Sequence, residues 1–310
     1  MSDSLKPKLE KIPVVNLLIK FLSSIKLPGF EGLSIYDLFE IYIIGIVKGA
    51  LTARAGAIAF SFFMALFPFL LFILIVIPYV PIDGFRTEFL SFLESVLPPN
   101  TSDFFFKNIF ENINTGRGGL LSSIFLLSMF LMANGVNAVF SGFENSYHEQ
   151  ITRHFLRQYI YALGVALILA LLLIITVAVL GYVELYVIDN LIEVQESDSS
   201  KRDFWFKVAK YLFFIIMTYL ATATLYYFGT KEGRDSRFFS VGALLTTLLI
   251  ILTSYLFGVY IENFSQYNEL YGSIGALLIL MFYLWLNANI LLLGYELNAS
   301  LNRLKKNIKL

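Results

Sequence analysis

The sequence predicts an all-α integral membrane protein: six transmembrane helices, an N-terminal interfacial helix and amphipathic helices in the first outer loop. Three observations predict it. Of 310 residues, 57% are apolar and 15% charged, where a soluble domain carries roughly 25% charge. Mean hydropathy is +0.72, more apolar surface than a soluble core of this length can hide. Finally, six stretches are long and apolar enough to cross the hydrocarbon core as helices, which satisfy every backbone N–H and C=O within the segment.

Those stretches are residues 55–79, 120–143, 159–183, 204–228, 239–261 and 273–297. Residues 35–47 are also apolar but short, interrupted by Asp37 and Glu40 and closed by Lys48. They read as an interfacial or partly buried helix, a seventh span being the alternative. In the first outer loop Phe85, Phe89, Phe92, Leu93 and Val96 recur at helical spacing, Pro98-Pro99 stops that helix, and 104–113 forms a second. Residues 184–203 form an acidic outer loop. The organisation expected is a cytoplasmic arm (1–34), one membrane domain (35–300) and a basic cytoplasmic tail (301–310).

Orientation follows from Lys and Arg, which resist translocation. Sixteen lie on the side of the termini: Lys6, Lys8, Lys11, Lys20, Lys26, Lys48, Arg54, Arg153, Arg157, Lys231, Arg234, Arg237, Arg303, Lys305, Lys306 and Lys309. Seven lie opposite: Arg86, Lys107, Arg117, Lys201, Arg202, Lys207 and Lys210. Both termini are therefore expected in the cytoplasm of a multi-pass inner-membrane protein. The arm lacks the apolar run and cleavage site of a signal peptide and reads as retained.

Several function classes fall away. Lys plus Arg equals Asp plus Glu at 23 each, so there is no electrostatic footprint for nucleic acid. There is no cysteine, which removes thiolate, disulfide and Cys-ligated metal chemistry, and only His148 and His154 offer imidazole. No cofactor or metal is expected, and no GxxxxGK[ST] loop is present to cradle a phosphate.

Polar residues at membrane depth are costly and point to function. Asn134, Asn137, Ser141 and Asn145 form one stripe on the second span, with Gly135, Ala138 and Gly142 beside it. They either glue helices together or line a polar cavity. The last span carries two stripes: Trp285, Asn289 and Glu296, and nearly opposite Gly272, Tyr283, Asn287, Gly294 and Asn298. A helix polar on two sides must be enclosed, which makes this span a central element. Glu296 either reaches the interface and pairs with Arg303 or another basic residue, or serves as a proton site or substrate contact. Arg54 either snorkels to headgroups, forms an internal ion pair, or holds an anionic headgroup. Pro68 kinks the first span. Thr218 and Thr222 are expected to bond back to helix carbonyls.

The run Arg54-Ala55-Gly56-Ala57-Ile58-Ala59-Phe60-Ser61, Leu66-Phe67-Pro68 and Asn134-Gly135-Val136-Asn137-Ala138 resembles the YihY/virulence factor BrkB family of bacterial inner-membrane proteins. So does a C-terminal block: Phe257-Gly258-Val259-Tyr260, Asn263-Phe264, Tyr267-Asn268, Tyr271-Gly272-Ser273-Ile274-Gly275, Trp285 and Leu293-Gly294-Tyr295-Glu296-Leu297-Asn298-Ala299. The resemblance spans residues 35–300. It implies six spans and labels of serum resistance, ribonuclease BN, or translocation of lipid or lipopolysaccharide precursors. The scattered acids and the two histidines in one connection do not support metal-assisted RNA cleavage. The reading is a transporter or flippase-like protein for a lipid or other amphipathic or anionic substrate, and not an enzyme. Arg54, Asn134, Asn137, Tyr271 and Asn287 would meet the substrate, with Glu296 as the proton site. The alternative is a non-transporting scaffold for envelope biogenesis. Expected partners are membrane lipids, with a second copy or envelope proteins, and no nucleic acid.

Overall fold

The computed structural model describes residues 13–26, 34–37, 39–40, 50–76, 87, 118–144, 154–182, 199–229, 238–264 and 273–308. Seven helices hold most of them: α1 (Pro13–Ser24), α2 (Leu51–Val76), α3 (Gly118–Glu144), α4 (Phe155–Tyr182), α5 (Ser199–Gly229), α6 (Val241–Phe264) and α7 (Ser273–Ile308). Among the described residues there is no strand, only an isolated antiparallel bridge between Lys26 and Ser34. Among the described residues, five helices are long and apolar enough to cross a membrane: α3 through α7. In α2 the corresponding apolar stretch is the shorter Leu51–Leu66, inside a helix of 26 residues that continues through Pro68 to Val76.

α1 went unanticipated within the arm. Its signal is Pro13 at the first helical position followed by Val14, Leu17, Leu18 and Phe21 at spacings of three and four. At 35–47 the described residues, 35–37 and 39–40, are helical. They start in a capping box: Ser34 N–H donates to Asp37 Oδ2 at 2.7 Å, and Asp37 N–H to Ser34 Oγ at 3.3 Å. The amphipathic pair expected at 85–97 and 104–113 lies outside the described residues, apart from helical Thr87, as does most of the acidic loop. α7 runs well past residue 297, to Ile308.

α2 packs along α3, α3 on α4, α4 on α5, α5 on α6 and α6 on α7, while α7 returns to α2, so the six long helices close a ring in chain order. α3 also reaches α5 and α7. It, rather than α7, is the most enclosed span: 44% of its most apolar stretch is buried, against 22% in α7. The enclosure expected for α7 holds for one half only. Residues 288–301 are mostly buried, whereas Leu278 and Phe282 lie open on the surface.

Lipid tails are as apolar as Leu, so helices in a bilayer associate through close packing and internal hydrogen bonds. Both are visible. A side chain at Gly142 of α3 would meet Ile58 Cδ1 at 2.8 Å and Leu292 Cδ2 at 3.3 Å, so the missing Cβ is the seat into which α2 inserts Ile58. Across the ring, Gly242 of α6 lies against the Gly294 carbonyl of α7. There Asn298 Oδ1 accepts from Gly242 N–H at 2.8 Å and its amide donates to Ser240 Oγ at 2.9 Å. Ser240 caps α6 by accepting from Ala243 N–H, and Asn298 takes a second of the helix's orphan donors. Thr218 and Thr222 bond back to the carbonyls of Phe214 and Thr218, both at 2.9 Å, as the sequence predicts.

A candidate functional site at a buried ion pair

Three helices meet where α2 begins. Ala50, just before the helix, has φ of 45°, a left-handed conformation that costs a residue with a Cβ about 1–2 kcal/mol. Its carbonyl accepts from Arg54 N–H at 3.0 Å, so the strained residue sets the first turn that carries Arg54. On that turn Leu51, Ala55 and Ile58 are all nearly inaccessible, and Arg54 is held among them instead of reaching headgroups.

Arg54 Nη2 donates to Glu296 Oε1 of α7 at 2.9 Å, and Nη1 to the Gly142 carbonyl of α3 at 2.8 Å. The side chains are 9% and 2% exposed. Glu296 therefore pairs with a basic residue, Arg54, 242 residues away in sequence, and does so inside the bundle. Arg54 Nε is buried and has no hydrogen-bond partner among the described residues. Desolvating two ions costs several kcal/mol each, and their attraction returns this only with good geometry. A salt bridge here is consequently weak as a stabiliser and notable as a polar centre in an apolar bundle.

The surroundings are aromatic and closed. Phe143 stacks on Tyr295 with ring centroids 4.3 Å apart and meets Tyr226 edge-on at 5.5 Å. Tyr226 of α5 donates to the Leu291 carbonyl at 2.6 Å and shares a 2.6 Å hydrogen bond with Thr246 of α6. Sequence reading missed Tyr226, Thr246 and Gln158. Their signal was a hydroxyl or amide in an apolar run, too common in membrane helices to single out.

The two stripes of α7 address two different helices. Tyr283 reaches Ser254 of α6 at 2.6 Å, and Gly294 and Asn298 also face α6, whereas Glu296 faces α2. Asn287 and Asn289 donate to carbonyls of their own helix, Tyr283 and Trp285, at 2.8 and 2.7 Å. Asn287 Oδ1 is buried and has no partner among the described residues. The α3 stripe divides likewise: Gly135 and Gly142 turn to α2, Ser141 accepts from Gln158 of α4 at 3.4 Å, Asn137 is partly buried and Asn134 is exposed. Tyr271 and Asn145 lie outside the described residues. Arg54, Asn134, Asn137 and Asn287 are thus not gathered in one polar cavity. Among the described residues no group of three or more His, Cys, Asp or Glu is placed to hold a metal.

A cavity does exist elsewhere, between α2, α3 and α4. It measures about 180 Å³ and is lined by Phe62, Ala65, Leu66, Phe69, Met132, Gly135, Val136, Ala166 and Leu169, all apolar. Pro68 precedes the lining residue Phe69 in sequence, inside the helix it leaves one hydrogen bond short.

These features define a multi-pass helical membrane protein with an internal ion pair. The chain belongs to the virulence factor BrkB family, whose profile matches residues 45–309. It is 26% identical to the ribonuclease-like protein YfkH of Bacillus subtilis over 82% of this chain and 91% of that one. It is 22% identical to a UPF0761 membrane protein of Aggregatibacter aphrophilus over 82% of this chain and 88% of that one. A UPF0761 membrane protein of Xanthomonas oryzae shares 40% identity over 60 residues, 19% of this chain and 14% of that one. No solved structure matches.

Proposed function

We propose that the protein is an inner-membrane transporter or flippase-like protein for a lipid or other amphipathic, anionic substrate, with six spans and both termini cytoplasmic. The observation that carries this reading is the Arg54–Glu296 pair. A guanidinium held at the start of a span, with Nε unpaired, is a site for an anionic headgroup, and Glu296 is the internal anion such a headgroup displaces. Protonation of Glu296 at that moment would release Arg54 without stranding a buried charge. Asn137 and Asn287 serve as secondary contacts once the helices part, with Asn134 and Tyr271 as further substrate contacts. No cofactor enters this scheme. Ribonuclease activity ranks last, because the sequence gathers no acids and histidines for phosphodiester chemistry.

A specific observation favours a second reading, a non-transporting scaffold for envelope biogenesis: much of the polar stripe on α7 is spent on helix packing and on its own carbonyls. Purified protein in vesicles with a fluorescent anionic phospholipid separates the two. Transbilayer movement that falls at least tenfold, roughly a 1.4 kcal/mol change, in R54A and E296Q at normal expression supports transport. Movement no faster than in protein-free vesicles supports the scaffold.

A further inference from the structure

The apolar cavity between α2, α3 and α4 is closed along the α2–α3 seam at both ends. Towards Arg54, Ile58 fills the seat at Gly142. Towards the other end, Phe72 of α2 stacks on Phe125 of α3 with centroids 5.4 Å apart. Between these plugs α2 and α3 draw together at Ala65 and Gly135, where an added Cβ would lie 3.0 Å from the Ala65 Cβ. α4 touches α2 only sparingly, so the space is a half-open wedge on the α4 side.

Its depth is mid-membrane. Met132 and Gly135 lie in the middle of the α3 span Phe125–Glu144, and Ala166 and Leu169 in the middle of the α4 span Leu156–Leu180. At that depth the surroundings are hydrocarbon. Water in such a space needs two to four polar partners, and the lining side chains supply none. The volume, about 180 Å³, is of the order of the roughly 150 Å³ apolar cavity that stays dry yet accepts a hydrocarbon ring.

We infer that this wedge is a binding groove for one acyl chain of a membrane lipid, entered sideways from the bilayer past α4. The groove goes beyond the transport reading and holds for a scaffold as well. Small residues at Ala65, Gly135 and Ala166 form its floor, and Phe62, Met132 and Leu169 its walls.

The test uses the full chain in phosphatidylethanolamine–phosphatidylglycerol vesicles doped with a phospholipid bearing a diazirine midway along one acyl chain. After irradiation, adducts are mapped by mass spectrometry. Phe62, Met132 and Leu169 should be labelled about tenfold more than Leu248 and Leu252, which lie at similar depth on α6 and are more than half exposed. A166F, which fills the wedge, should remove that enrichment and leave α6 labelling unchanged. L169W, at the wall, gives the same answer should A166F not fold. The proposal is overturned if labelling follows exposure alone, if both variants keep the enrichment, or if the same lipid with its diazirine on the headgroup labels the wedge equally. Lipid movement measured in the same vesicles keeps the two readings apart. In the parent chain, enrichment without movement retires transport and keeps the groove, and absence of enrichment retires the groove whatever the movement.

Discussion

The two places where α2 and α3 approach through a glycine have opposite outcomes. At Gly142 the missing side chain is replaced by Ile58, Leu292 closes over it, and the neighbouring Phe140 and Phe143 are inaccessible. At Gly135, two turns away, the same device leaves about 180 Å³ unfilled, because Ala65 and Ala166 supply too little volume on the facing helices. A glycine in a membrane helix thus fixes how close two backbones come. What fills the remaining space depends on the third helix, and here α7 supplies Leu292 where α4 supplies Ala166.

The comparison breaks most sharply at the filled end. E296A leaves the Arg54 guanidinium buried without its counter-ion and should destabilise the bundle by about 3–5 kcal/mol, whereas R54L/E296L, which removes both charges, should lie close to the parent; denaturant unfolding in detergent checks both. A double variant as unstable as E296A would show that the pair is itself the main tie. G142V forces a side chain into the seat of Ile58 and should cost about 1–3 kcal/mol, with recovery in G142V/I58A. An equal cost from G135A would erase the distinction between the two glycines, since its added Cβ meets only the Ala65 Cβ closely. A50G removes the Cβ that opposes a φ of 45° and should gain about 1 kcal/mol, read as a higher melting temperature. Least of all, N134L on the exposed face of α3 should shift stability by no more than about 0.5 kcal/mol.

Much of the helical architecture was legible because apolar length is a property of each segment alone. α3 to α7 lie where hydropathy places them, and the enclosure of residues 288–301 follows from polar groups on two sides of one helix. α1 is hard to read from sequence because it is only 12 residues long and its apolar period sits among lysines. The cost of Arg54 and of Glu296 was legible residue by residue. Their partnership was not, since a single sequence carries no sign of which of its 23 Lys and Arg residues lies beside a given carboxylate. The wedge left no trace in the sequence at all, because it arises from how far α4 stands from α2.

Tyr226 has one more consequence. Its hydroxyl sits on α5 and bonds Thr246 of α6 and the Leu291 carbonyl of α7, while Asn298 pins α7 to the first turn of α6. Three helices are therefore tied together by side-chain hydrogen bonds, while α2 and α3 interlock through Ile58. The Arg54 guanidinium joins the two groups: one donor is on a carbonyl of α3, the other on a carboxylate of α7.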